Sequence, residues 1–272
     1  MDRTTRRTRL ALVGGVVVVL AIVGAAAVLA TTGDPVNPFG QGEPETGELA
    51  PGVYANDSVN VTRLLVAHRS QLREQGFLTE TTVTSRANDS VVVASGQQVR
   101  ATSNLSRVVV QQHRSAAGRQ NVTADVYVNE TNTLVRMEAD GNESYQVRER
   151  VQSQSVPPIS RATLTVFGEA ARTFTVENTT GTDAQRRTTL TATIGGNGTT
   201  PQTDVTMIVD EQGVIRSLTI VSGQQGSGQV VETRYDLQQL GVNTVQPPDW
   251  LSEIPANATV RTPPAGPRPT TR

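Results

Sequence analysis

The side chains of this chain that could do chemistry are few and scattered. There are two histidines, His68 and His113, and neither cysteine nor lysine, so all 24 basic residues are arginine. Without cysteine there is no thiolate nucleophile, thiolate metal site or disulfide framework. Without lysine there is no Ser-x-x-Lys pair, and neither a Gly-x-Ser-x-Gly elbow nor a phosphate-cradling glycine loop is present. His113 lies in the polar stretch Gln111-Gln112-His113-Arg114 and reads as exposed, and no third ligand accompanies the two histidines. Asp210-Glu211-Gln212-Gly213 has the composition of a turn and lacks the alternating oxygen donors of a calcium loop. Gly223-Gln224-Gln225-Gly226-Ser227-Gly228 is a flexible connection without the strand-to-helix setting of a dinucleotide fingerprint. The expectation is a protein that is not an enzyme, with no catalytic residue, metal or cofactor.

What the sequence offers instead is asparagine in acceptor motifs. Ten of the 13 asparagines stand in Asn-x-Ser/Thr with x never proline, where chance in a chain this rich in Ser and Thr gives roughly three. Such sequons accept glycans on exported surface loops. Asn88, Asn142 and Asn197 fall in expected turns and are the best candidates, followed by Asn129 and Asn178. Asn104 and Asn121 lie nearer to expected strands and are less favourable.

Export is written at the N-terminus. Leu10 to Ala30 is a 21-residue run with no charged or strongly polar side chain. A helix of that length, at ~1.5 Å per residue, spans about 30 Å, the hydrocarbon thickness of a bilayer. Arg3, Arg6, Arg7 and Arg9 precede the run, and Asp34, Glu43, Glu45 and Glu48 follow it, which keeps the N-terminus cytoplasmic and sends the bulk out. A cleaved signal peptide is the alternative, with Ala25-Ala26-Ala27 or Val28-Leu29-Ala30 as its processing site and a secreted product. The usual apolar region of such a peptide is shorter, only ~7–15 residues. The resulting division is a cytoplasmic Arg-rich N-terminus over 1–9, a transmembrane signal-anchor over 10–30 and a flexible spacer over 31–52. An extracytoplasmic β-rich domain over 53–255 and a disordered Pro-rich tail over 256–272 complete it. From residue 31 onward 20 of the 24 arginines face 24 of the 25 acids, a net charge of −4 that excludes a nucleic-acid footprint.

One helix is plain. Val61, Leu64, Leu65, His68 and Leu72 share a face, Asp57 or Asn60 can cap it, and Gly76 ends it. His68, on the apolar face, reads as a satisfied interior or lid histidine. A short second helix is expected over Ser160–Ala171, after Pro157-Pro158. The rest is strand: a hairpin turning at Asn88-Asp89, alternation at Val122, Ala124, Val126 and Val128, and a turn at Asp140-Gly141 before a strand around Tyr145. A second hairpin turns at Asp210–Gly213, and a last strand has Val231, Tyr235 and Leu237 on one side. Trp250, after two prolines, is expected to plug the end of the sheet.

These elements predict an α+β fold, mainly β. One curved antiparallel sheet, half-open and barrel-like, carries one long and one short helix on its concave face, with the transmembrane helix in front. Leu64, Leu65, His68 and Leu72 are expected to face Val205, Met207, Leu218, Ile220 and Tyr235. A single helix covers about 10 Å, whereas eight or more strands span close to 40 Å, so part of the apolar face is left for something else to fill.

Pro51-Gly52-Val53, Asn60-Val61-Thr62-Arg63-Leu64 with His68, Tyr235-Asp236-Leu237 with Leu240-Gly241, and Pro247-Pro248-Asp249-Trp250-Leu251 resemble segments of uncharacterised haloarchaeal surface lipoproteins. The hairpin Ile208 to Ile215 is similar to one in the LolA/LppX/LprG lipoprotein-carrier superfamily. The resemblance implies a sheet curled around an apolar cavity that takes acyl chains, with helices as a lid. The lining would then be Leu64, Leu65, His68, Leu72, Met207, Leu218, Ile220 and Tyr235. The lipobox cysteine of those lipoproteins is missing, so the helix over 10–30 must serve as the anchor. The functional expectation is a glycosylated, membrane-anchored cell-surface protein whose domain binds an apolar or amphipathic, lipid-like ligand or monitors the envelope. The alternative is a structural or interaction protein of the cell surface with no ligand cavity.

Overall fold

In the computed structural model the described residues are 47–255 and 258, less 89, 118–120, 151–165, 167–168, 172, 183–184, 197–200 and 224–227. The run over 10–30, the tail apart from Ala258, and Asn197 therefore lie outside them. Among the described residues no helix is long and apolar enough to cross a membrane. Of the second helix expected over 160–171 only residues 166 and 169–171 are described, and Val166, Glu169 and Ala170 are helical.

The first described elements lie inside the stretch read as spacer. Strands β1 (Glu48–Ala50) and β2 (Val53–Tyr54) form a small hairpin just ahead of helix α1 (Val61–Gln75). Gly52 turns that hairpin at φ +81°, and a Cβ there would come within 2.5 Å of the Asn60 carbonyl oxygen. The Gly52 carbonyl accepts the Asn60 N–H at 2.7 Å. Glu48 accepts the Gly52 N–H at 2.7 Å and pairs with Arg63 at 3.1 Å, which fastens the hairpin to the first turn of α1. Asn60 is the cap, its Oδ1 accepting the Arg63 N–H at 3.0 Å. Asp57, the other capping candidate, accepts the Val176 N–H instead, at 2.9 Å. Gly76 ends the helix at φ +73°, its N–H on the Leu72 carbonyl at 3.0 Å.

Eleven strands then make one curved antiparallel sheet. The first meander is β3 (Phe77–Ala87), β4 (Ser90–Ala101), β5 (Val108–Ala116), β6 (Val122–Val128), β7 (Asn132–Ala139) and β8 (Asn142–Glu149). The second is β9 (Thr175–Thr180), β10 (Arg187–Ile194), β11 (Gln202–Asp210), β12 (Ile215–Gly223) and β13 (Gln229–Leu240). The spatial order β8-β7-β6-β5-β4-β3-β13-β12-β11-β10-β9 zips the two meanders together where β3 pairs with β13. β8 and β9 form the two free edges, so the sheet is open and not a closed barrel. Alternating Val and Thr supply the strands, and the tight turns fall where asparagine, aspartate and glycine take positive φ, at Asn88 (+48°), Asp140 (+53°) and Gly141 (+73°).

Two apolar clusters lie on the face that carries α1. The larger joins Leu64 to Leu190, Val205, Met207, Val209, Leu218, Ile220 and Tyr235, with Ala170 and Phe174 closing it. The smaller gathers Leu72, Phe77, Val99, Ala101, Val108 and Val110. Leu72 thus departs from the expectation that it faces the β11–β13 side. A 15-residue helix is about 22 Å long, so its two ends meet different strands. Trp250 is buried against the β7–β8 end of the sheet, beside Tyr145 (6.4 Å between ring centroids) and under Arg136 (5.8 Å), on the face opposite α1.

Candidate functional site

Which side chains share the helix-bearing face, hereafter the inner face, follows from the strand register. Met207 pairs with Leu218, Leu218 with Tyr235, and Tyr235 with Thr81. The same row continues through Gln97, Gln112, Ala124 and Met137. The adjacent row runs Val205, Ile220, Thr233, Val83, Ser95, Arg114, Val122 and Ala139. Directly paired residues project to one side, so all of these point where α1 lies.

The inner face has two unlike halves. Over β10–β13 it is sealed: Leu190, Met207, Leu218 and Tyr235 are all at or below 2 % exposure. Over β3–β7 the part under Leu72 is closed by Phe77, Val99, Ala101, Val108 and Val110, whereas Val83, Val122, Ala124, Val135 and Met137 are half-buried and belong to neither cluster. Val231, expected on the side of Tyr235, is on this face but 38 % exposed, beyond the reach of α1.

His68 sits in the sealed half, fully buried. Its Nδ1 accepts the Ile215 N–H at 3.2 Å, which leaves the proton on Nε2, 3.4 Å from the Tyr235 hydroxyl. Burial pushes the imidazole down to about 3, with Arg69 and Arg216 adding to the shift. The ring is therefore neutral at physiological pH, and both its nitrogens are used within the core. Burial likewise pushes the Tyr235 phenol well above its ordinary value. His113, by contrast, is on the outer face, its ring lying over Gly96, where any side chain would collide with it. Asp210 organises its turn: Oδ1 accepts the Gln212 and Val214 N–H groups (3.1 and 2.9 Å), and Oδ2 holds Arg216 at 2.6 Å.

Of the eight lining candidates, Leu64, His68, Met207, Leu218, Ile220 and Tyr235 come together in the sealed half, and Leu72 joins the smaller cluster. Leu65 is half-buried and lines an open groove of about 660 Å³ at the start of α1, together with Tyr54, Val59, Val61 and Ala171. The residues that sequence reasoning did not single out are those of the second half, Val83, Val122, Ala124, Val135 and Met137. The alternation over Val122–Val128 was legible, but which side of the sheet it faced was not.

The model of a family of unknown function, DUF7537, matches residues 9–254. The chain belongs to that family. The matched region takes in the apolar run over 10–30 as well as the sheet. A search of the curated proteins finds no match. Among solved structures a LolA superfamily protein from Nitrosomonas europaea is similar at 12 % identity, over 70 % of this chain and 96 % of that chain, with a TM-score of 0.25.

In this DUF7537 member the acceptor asparagines are spread over loops and edges. Asn88 is exposed at the β3–β4 tip, Asn142 at the start of β8, and Asn178 on the edge strand β9. Asn129 is half-buried, and its Oδ1 takes the Thr131 and Asn132 N–H groups at 3.0 and 2.7 Å. Asn104 is exposed in the short turn Ser103–Leu105 between β4 and β5, at φ +54°.

Proposed function

We propose that this is a membrane-anchored, N-glycosylated cell-surface protein that works by binding rather than by catalysis, and that its sheet takes an apolar or amphipathic, lipid-like ligand on the inner face. The observation that carries this reading is the contrast between the two halves of that face. The β10–β13 half is closed by Leu64 of α1, Ala50 and Val53 of the hairpin, and Ala170 and Phe174, while Val83, Val122, Ala124, Val135 and Met137 stay half-buried and outside both clusters. Burying an apolar side chain more fully contributes about 25 cal/mol per Å² removed from water, so an acyl chain laid over these five would be held mainly by area, with few polar contacts. Ile220 and Tyr235 mark the boundary, since their rows continue through Thr233 to Val83 and directly to Thr81. In this reading the lining candidates from α1 and β11–β13 form the wall of the site. Anchoring rests on the apolar run over 10–30, and glycosylation on the exposed sequons at Asn88, Asn142 and Asn178.

A titration of the full chain in zwitterionic nanodiscs with N-phenyl-1-naphthylamine, an uncharged apolar fluorophore, tests the binding claim. Saturable enhancement that Met137→Asp abolishes is expected; enhancement no greater than that of empty discs contradicts it. The second reading is a structural or interaction protein of the cell surface with no ligand cavity. It is favoured by the close packing of Leu64, Met207, Leu218, Ile220 and Tyr235 into one sealed cluster, and it takes first place if the titration fails.

A further inference from the structure

The charges of the sheet are sorted by face. Glu80 pairs with Asp236, and its row runs on through Gln98, Gln111, Asp125 and Arg136. Glu138 pairs with Glu143, and Glu232 pairs with Thr84. Each of these rows alternates with the inner ones, and Glu149 follows Glu143 and Tyr145 on the same side. Every carboxylate of β3–β8 and β13 is therefore on the outer face. Three of the outer arginines find partners there: Arg136 holds Asp125 at 2.6 Å, and Arg86 and Arg234 hold Glu232 at 3.1 and 2.6 Å. The inner face of those strands carries only two charges, Arg114 and Arg148. Arg148 donates to the Gln146 side-chain Oε1 at 2.6 Å. Arg114 is half-buried between Ser95 and Val122, and no carboxylate of β3–β8 or β13 shares its face. The segment 151–165, which links β8 to the helical turn at Val166, contains no Asp or Glu either.

We propose that Arg114 receives the anionic head of a single-chain amphiphile, a carboxylate or phosphate, whose tail lies over Val122, Ala124 and Met137. This rests on the apolar-site reading above and names its ligand class. The guanidinium presents a planar fork of donors that matches either head group. Gln97 and Gln112, on the neighbouring row of the same face, offer amide N–H groups to the remaining oxygens. An arginine among half-buried valines, with acids confined to the other side of the sheet, favours an anion over a neutral or cationic head.

The test displaces N-phenyl-1-naphthylamine from the full chain in zwitterionic nanodiscs with dodecanoate, dodecyl phosphate and methyl dodecanoate. Wild type should prefer at least one anionic amphiphile over the ester by about tenfold, and Arg114→Gln should remove that preference while leaving the ester's affinity in place. Arg114→Lys should retain part of the preference, and Arg148→Gln all of it, with thermal melts of each variant confirming the fold. Acetate and inorganic phosphate alone should displace nothing, and displacement by either assigns the site to a free anion and overturns the amphiphile. A fluorophore that binds but is displaced equally by acids and ester, in wild type or with no change in Arg114→Gln, overturns the head-group assignment alone. A fluorophore that never binds overturns this proposal together with the reading beneath it.

Discussion

His68 and Tyr235 meet edge to face, their ring centroids 6.0 Å apart, with the imidazole Nε2 directed at the phenol oxygen. The contact joins the middle of α1 to the middle of the sheet, and with the Ile215 N–H on Nδ1 it satisfies both ring nitrogens without water.

That arrangement makes the domain acid-sensitive. The folded-state value of His68 is lowered to about 3 from 6.5, so below pH 6.5 the unfolded chain binds a proton that the folded one does not. Stability from this group is full above pH 6.5 and falls at about 1.4 kcal/mol per pH unit as the pH drops toward 3. Urea unfolding of wild type and His68→Asn from pH 7.5 to 4 checks it: the variant should be ~1–3 kcal/mol weaker at neutral pH and lack this share of the acid slope. Parallel curves for the two proteins would contradict the account.

Truncating α1 at its two ends should be felt alike although different strands are involved. Leu64→Ala and Leu72→Ala each open a cavity in a closed cluster and should destabilise by ~2–5 kcal/mol. Val66→Ala, at a position 39 % exposed on the opposite side of the helix, should stay within about 0.5 kcal/mol. Denaturant midpoints measured together decide it.

Gly76 ends the helix at φ +73°, and a Cβ there would collide with the Val242 carbonyl oxygen. Gly76→Ala should destabilise by more than ~1 kcal/mol, through strain at positive φ and displacement of the segment after β13. At Gly141, also at positive φ but with open space around a Cβ, the alanine variant should be milder. Equal melting temperatures for the two variants would show that the contact with Val242 contributes nothing.

Native protein should stay with the membrane fraction through a high-salt wash and leave it with detergent, as the apolar run over 10–30 requires. Its intact mass should exceed the 29.0 kDa of the chain, with glycans at the exposed Asn88, Asn142 and Asn178. Native material starting at Val28 or Thr31, or of bare chain mass, contradicts the anchor or the glycans respectively.

Much of the fold was legible because local signals agreed. The run of Val61, Leu64, Leu65, His68 and Leu72 with Gly76 placed α1 and its end, leaving Asp57 or Asn60 as its cap, and the Asn88, Asp140 and Asp210 turns fixed three hairpins. The pairing of β3 with β13 was not legible, since strands so distant in sequence are joined by register rather than by any turn. The same gap hid the site. Gln111-Gln112-His113-Arg114 looks like a solvated stretch, but the strand period sends Gln112 and Arg114 inward and His113 outward. The stretch 31–52 looked like a spacer because it holds few apolar residues, yet Leu49 and Ala50 pack into the core and the Glu48–Arg63 pair and the Gly52 turn hold Glu48–Gly52 to α1.

The most direct test of the apolar-ligand claim uses the two methionines of the sheet as reporters, Met137 in the open half of the inner face and Met207 in the sealed half. Methyl-labelled methionine NMR spectra of the full chain in zwitterionic nanodiscs would be recorded during titration with dodecanoate. The account predicts a saturable shift of the Met137 methyl signal, larger than any shift at Met207 and removed by Val122→Asp. Methyl signals that stay in place at both residues, up to dodecanoate concentrations where the discs themselves change, would contradict it.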